Sequence, residues 1–428
     1  MACGMPSGAS SLLICFKPDW AMLQGFSREF IAERTAFKLG KNYNGISVLI
    51  FGADGRQALP VIKGFAQIGC KVTAYCQTRL DPGYATRFSS QKILYEKDKT
   101  DEDFYSYGSK LIRENHYDLV VPLRDLSATY LSRHKKELSQ YSKIAVNDWD
   151  KMQYALDKAL TMSICEVEGI PAPKTVFGDH ILEQIDEKGM CFPLVVKPRT
   201  GSGSAGFNIF RNREKLKQYI EQYDNANGPL LCQEYIEQKD APQYRADFFR
   251  DRDGNFKAAI VGKNTRWYPL DGGFGVFGFT IHDDVILEMG KKLLDRIGWN
   301  GYANIDMVWD SIENRAKILE INGRTGASIM LDYVADVNIS QLILENELGY
   351  DVSDYTAYED GKNTACFFID VLWFIKSKDR FRANPSWFNR TGVKDVIFSW
   401  SDPLPAAAYL LQCIRNFKKS SKLRRRVE

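Results

Sequence analysis

Apolar and polar positions along this chain of 428 residues follow several different rhythms. Between residues 44 and 146, short apolar runs alternate with helical stretches. Residues 46–51 read as a buried strand, a helix follows to about Gly69, and KVTAYCQ, KILYEK and DLVVPL read as further strands, the last after a helix at 101–115. Strands alternating with helices imply a parallel, doubly wound sheet. The turn Gly52-Ala-Asp-Gly55 lacks the rest of a dinucleotide-binding fingerprint, which disfavours a dehydrogenase.

The middle of the chain changes to two-residue alternation. YRADFFR and FKAAIVGK predict a hairpin about DRDGN, with Lys263 and Arg266 leaving its second strand. GGFGVFG, residues 272–278, reads as a mobile glycine loop with hinges for a lid. ANIDMVW and AKILEIN predict a second hairpin about DSIENR. Glu320 and Asn322 are two apart and share a face; folding the hairpin sets Asp306 almost opposite Glu320.

Both ends differ from this core. Residues 1–44 precede the first convincing strand and include one amphipathic stretch; the sequence does not state their role. TACFFIDVLWFI is strongly apolar. In the closing helix Leu410, Cys413, Ile414 and Phe417 fall on one face, and Lys418, Lys419, Lys422, Arg424, Arg425 and Arg426 follow. An apolar face with a basic tail suits an anionic membrane surface, and equally a helix docked on the core with a solvated tail. No stretch reaches membrane-spanning length, and the start lacks a signal-like basic segment.

Composition narrows the chemistry. An apolar content of 44% and a net charge of +3 describe a globular protein with no general affinity for nucleic acid. Nine scattered cysteines without a CxxC, including Cys70, Cys191 and Cys232, read as core residues of a reducing cytosol, and four unspaced histidines disfavour zinc. Asp306, Glu320 and Asn322 offer hard oxygen ligands suited to Mg²⁺, with Arg324 just beyond. In FPLVVKPRTGSGSAGF an apolar strand delivers Lys197 into a loop with Gly201, Ser202, Gly203, Ser204 and Gly206, whose backbone N–H groups can cradle phosphate.

These pieces, in this order, resemble the ATP-grasp superfamily, and within it carboxylate–amine ligases of the carbamoyl-phosphate-synthase-like type. GISVLIFGADGRQALPVIKGFAQIG and YDLVVPLRDLSATYLSRH are similar to the opening and close of a pre-ATP-grasp domain. ALDKALTMSICEVEGIPAPKT is similar to the entry to the ATP-grasp domain, LLCQEYIEQKD to the adenine linker, and EINGRTGAS to the Glu-x-Asn-x-Arg motif. The resemblance implies an α/β and α+β protein: an N-terminal extension (1–44), a pre-ATP-grasp Rossmann-like domain (45–146), a two-subdomain ATP-grasp domain (147–349) and a C-terminal region (350–428).

It also implies ATP with Mg²⁺, or Mn²⁺, as cofactors. Asp306, Glu320 and Asn322 would hold the metal. Lys158, with Lys151 as competitor, Lys197 and Lys263 would reach the phosphates, Glu234, Tyr235 and Ile236 the adenine, and Glu237 or Asp240 the ribose. Arg324, Lys197 and Arg266 would be catalytic, acting on an acyl phosphate formed from a carboxylate and attacked by an amine. Gly323 stands where many relatives have proline, which would loosen the turn before Arg324. The expected setting is cytoplasmic, at most peripheral on the inner membrane face, with a homodimer and with small or precursor-linked carboxylate and amine substrates. A ligase for a free small molecule or dipeptide, and an ATP-binding regulatory scaffold, are the competing readings.

Overall fold

The structure is a computed structural model and describes residues 41–428 except 96–100, 202–205, 225–227, 239–240, 271–272, 421–425 and 428. Side chains are described up to residue 415, apart from those residues and 101–102. Contacts divide the chain into Met1–Lys38 and Leu39–Glu428, and every described residue lies in the second unit. Ser202, Gly203, Ser204, Asp240 and Gly272, the amphipathic N-terminal stretch and the basic side chains at 418–426 therefore fall outside the described residues.

Three sheets carry the fold. The first is parallel throughout: β1 (Ser47–Phe51), β2 (Lys71–Cys76), β3 (Gln91–Leu94), β4 (Leu119–Pro122) and β5 (Lys143–Ile144) lie in the order β3-β2-β1-β4-β5. Val48–Phe51 of β1 are wholly buried, as a central strand covered on both faces should be. The second sheet contains β6 (Thr175–Phe177), β7 (Leu194–Pro198), β8 (Asn208–Phe210) and β9 (Leu230–Glu234), ordered β8-β7-β9-β6 and antiparallel. The backbone of β17 (Arg426–Val427) adds to its β8 edge.

The third sheet has seven strands: β10 (Gln243–Arg250), β11 (Phe256–Tyr268), β12 (Phe274–Ile281), β13 (Gly301–Asp310), β14 (Arg315–Asn322), β15 (Asn363–Ala365) and β16 (Lys394–Asp395). Their order is β14-β13-β10-β11-β12-β15-β16. One face carries Tyr244, Ala246, Phe248, Ile305 and Met307 into the main core, under the helix Asp284–Ile297. The other face carries polar residues, among them Arg245, Asp306 and Glu320.

Two expectations change here. The stretch read as a mobile glycine loop is largely strand β12, paired along its length with β11. Its glycines make room rather than motion: a Cβ on Gly275 or Gly278 would lie 2.4 or 2.3 Å from the Asn264 side chain. Cys191, expected in the core, is exposed, whereas Cys70 and Cys232 are buried.

The chain after residue 350 extends the same sheet through β15 and β16 and adds the helices Phe367–Lys376 and Leu404–Ser420. A buried ion triad fixes the first of these. Asp370 accepts from Arg266 Nε at 2.8 Å and from Arg390 at 2.9 Å, and the Arg266 guanidinium stacks 3.9 Å from the Phe277 ring centroid. Among the described residues no helix is long and apolar enough to cross a membrane.

Candidate active site

Strand alternation builds the centre of the site. Asp306 on β13 sits opposite Glu320 on β14, and Asn304 sits opposite Asn322 in the same register; the pairing shifts only on the other side, between Asp306 and Met307. The Asn322 amide donates to Asp306 Oδ2 at 2.9 Å and to Asn304 Oδ1 at 2.8 Å. Burial pushes the Asp306 carboxyl up to about 6, and the Glu320 charge adds to the effect. Two carboxylates held together against their own repulsion, beside an amide able to turn its oxygen inward, are a donor set that fits a hard divalent cation.

Lysines converge from the second sheet. The helix Lys158–Glu168 starts where Asp157 caps it by accepting from Ala159 N at 3.0 Å, and Arg199 clamps Asp157 in turn. Its first residue, Lys158, donates to the Gly201 carbonyl at 2.8 Å and lies 3.2 Å from Glu320 Oε2. Lys151, the competitor, lies instead beside Gly298. Lys197 sits within β7 and donates to Gln233 at 3.1 Å; burial pulls its ammonium down to about 8. Gly201, at φ +115°, takes a backbone conformation that favours glycine at the start of the loop.

A cleft of about 420 Å³ joins these groups, a volume usual for a small-molecule site. One end is apolar, with Val195, Ile209, Met307 and Leu319 beside Glu234, Tyr235 and Ile236. The other end is cationic, with Arg56, Arg245 and Arg324 around Gly326–Ser328. Arg324 is held by Asp125 at 2.9 Å; burial opposes its charge most, but Asp125 and Asp306, with Tyr302, together raise its pKa. Gly323, just before Arg324, also has a steric reason. A Cβ there would lie 2.9 Å from both Met152 and Trp299, so the close approach itself requires glycine.

Two expected residues lie elsewhere. Lys263 pairs in register with Tyr244 and shares its core-facing side, with its ammonium 5.6 Å from that ring; Asn264, next along β11, lines the cleft instead. Arg266 is 2% exposed and committed to Asp370, away from the residues that line the cleft. A hairpin can be read from the sequence, but which phase of its second strand faces the ligand depends on the β11 irregularities at Asn264–Trp267. Glu237 adjoins Tyr235, with 3.3 Å between their side-chain oxygens.

Sequence reasoning did not single out Arg56, Arg245, Asn264 or Asn304. Arg56 follows the β1 turn and donates to the Ala327 carbonyl at 3.2 Å. Arg245 reaches the Ser328 carbonyl at 3.1 Å and is ion-paired with Asp247 and Asp332. It lies directly across from Asp306 because β10 pairs with β13, a contact between distant strands that local alternation does not reveal. A separate acidic trio beside the apolar end, Glu234, Asp310 and Glu313, closes on the Lys317 ammonium, which offsets part of its charge.

Comparison with known proteins agrees with this geometry. Residues 155–328 match a family of ATP-grasp domains. The chain is 22% identical over 299 residues to a D-aspartate ligase of Enterococcus faecium, covering 64% of this chain and 70% of that one. In structure it resembles a biotin carboxylase from Campylobacter jejuni, with TM-score 0.61, 14% identity and 74% of each chain covered. It also resembles an L-amino acid ligase from Bacillus licheniformis, with TM-score 0.56, 16% identity, and 72% and 75% covered. Residues 155–328 thus match the ATP-grasp domain, within a chain that is similar over 64% of its length to a D-aspartate ligase.

Proposed function

We propose that this protein joins a carboxylate to an amine at the expense of ATP, releasing ADP and phosphate. The observation that carries this reading is the convergence in one cleft of Lys158, Lys197, Asp306, Glu320, Asn322 and Arg324. ATP would lie with its adenine among Val195, Met307 and Leu319, beside Glu234 and Ile236, and its phosphates toward Lys158 and Lys197. Asp306, Glu320 and Asn322 would hold Mg²⁺, which when bound offsets phosphate charge and orients the transferring group.

The reaction then follows from the remaining groups. A carboxylate oxygen of the substrate attacks the γ-phosphorus, and ADP leaves with the electron pair of the bridging oxygen. The amine nitrogen attacks the acyl carbon, and phosphate departs. Arg324, steadied by Asp125, would balance charge on the acyl phosphate and the tetrahedral oxyanion. Phe274 and Gly275, from the β11–β12 hairpin, line the cleft and can shield the labile intermediate from water.

Substrate class is suggested by the cationic end. Arg56, together with Arg324 on its Asp125 support, favours an acid with a second anionic group, such as an amino acid presenting its own carboxylate, whereas Arg245 is already matched by Asp247 and Asp332. The D-aspartate ligase relative supports the same class by similarity. The test is ADP release with Mg²⁺-ATP over a panel of amino acids and other carboxylates crossed with amines. Release that needs both partners and disappears in Asp306→Ala/Glu320→Ala is expected. ATP hydrolysis indifferent to every pair, or unchanged in the double variant, would overturn the reading.

A further inference from the structure

Eleven of the nineteen exposed large apolar side chains among the described residues fall between Phe367 and Ile414, about one ninth of the chain. The densest part is the helix Phe367–Lys376 with the segment after it. This helix turns Ile369, Asp370 and Trp373 inward, Ile369 packing with Cys366, Val396, Ile397 and Tyr409. Its other side is left bare, with Leu372 and Ile375 exposed at 38% and 59%. Beyond it Phe381 and Phe388 stand out at 72% and 63% and stack on each other with centroids 6.3 Å apart. Phe374 touches both rings at 5.6 Å, so the exposed aromatics form one connected cluster rather than scattered side chains.

The charge around this cluster has one dominant sign. Residues 367–400 hold six lysines and arginines against three aspartates, a surplus of three that equals the net charge of the whole chain. Two of the aspartates are taken internally: Asp370 is buried under Arg266 and Arg390, and Asp395 caps the backbone of Phe367, Ile397 and Phe398. Lys376, Lys378 and Arg382 are exposed, and no described carboxylate lies within ion-pair distance of them. Arg380 lies over Phe381 at 5.3 Å.

The geometry points to a docking surface for an anionic phospholipid membrane, formed by Leu372, Ile375, Phe381 and Phe388 and ringed by Lys376, Lys378 and Arg382. Exposed aromatic and aliphatic tips can enter the headgroup boundary while the unneutralised cations meet lipid phosphates. A second copy of the chain is a poorer occupant, because a two-fold contact would set this cationic ring against itself. The surface is distinct from the basic end of the chain, for which the sequence offered membrane contact as one of two readings. It is also independent of the ligase reading, since none of these residues lines the cleft.

The test is co-sedimentation of the full-length chain with phosphatidylglycerol–phosphatidylcholine vesicles and with phosphatidylcholine alone. Binding to the anionic vesicles only, weakening as salt rises, is expected. Lys376→Gln/Lys378→Gln/Arg382→Gln should weaken it about a hundredfold. Phe381→Ser/Phe388→Ser should weaken it at least about tenfold. Both variants should keep the melting temperature of the parent, because every substituted side chain is exposed. No binding to anionic vesicles, or equal binding to neutral ones, would overturn the proposal. So would binding that survives both variants and is lost only when the basic residues at 418–426 are removed. Self-association of the free chain that Phe381→Ser/Phe388→Ser abolishes, without vesicle binding, would reassign the face to a dimer contact.

Discussion

Lys197, a lysine proposed to meet the ATP phosphates, is costly to the nucleotide-free protein. Burial lowers its folded pKa to about 8, below the 10.5 of a free lysine, so the unfolded chain holds the proton more tightly. The resulting destabilisation is fully present below about 8 and fades as pH rises toward 10.5. Lys197→Met should therefore stabilise the nucleotide-free protein at pH 7, by about 1–3 kcal/mol. The gain in melting temperature should shrink near pH 10, and ATP affinity should fall. An equal gain at both pH values would assign the effect to packing of the methionine instead. Asp125 acts through Arg324. Asp125→Asn should lower kcat about tenfold with KM for ATP nearly unchanged, because the guanidinium keeps its place less well only where acyl charge develops. A change confined to KM for ATP would contradict that assignment.

At the scale of elements, what the chain declared in advance was whatever depends on local alternation. The β13–β14 hairpin, its turn and the pairing of Asp306 with Glu320 follow from a period of two and a polar turn. The strand ending in Lys197 and the helix over Asp101–Asn115 were legible for the same reason. What was not legible depends on partners distant in sequence. Lys263 and Arg266 lie within a strand whose register shifts twice after Asn264, so the facing of Arg266 could not be counted out. Asp370, which claims Arg266, comes 104 residues later. GGFGVFG looked mobile because glycine is usually read as freedom, whereas Gly275 and Gly278 are small so that Asn264 fits. The triad makes a clear prediction: Asp370→Ala strands two arginines and should cost about 3–5 kcal/mol in urea denaturation. Arg266→Ala should likewise lose stability while its folded fraction keeps kcat/KM within about threefold. A large loss of kcat with normal stability would restore Arg266 to the chemistry.

At the scale of the whole molecule, a parallel sheet, a small antiparallel sheet and a seven-stranded sheet place residues from distant parts of the chain around one cleft. Arg56, at the β1 turn, reaches the Ala327 carbonyl 271 residues away, and Asp125 reaches Arg324 across 199. Nucleotide should thus stabilise the assembly as a unit. Mg²⁺-ATP at a hundred times its Kd should add about 2.7 kcal/mol, and a chelator in excess should remove most of that gain. The central claim is that a substrate carboxylate becomes an acyl phosphate in this cleft. Hydroxylamine is a small amine that captures such intermediates as hydroxamates whatever the natural amine. The most direct measurement is hydroxamate formed from Mg²⁺-ATP, hydroxylamine and a panel of amino acids and other carboxylates. The account predicts hydroxamate from at least one acid, equal in amount to the ADP released and absent in Asp306→Ala/Glu320→Ala. ADP released in response to an acid, with no hydroxamate formed, would contradict it.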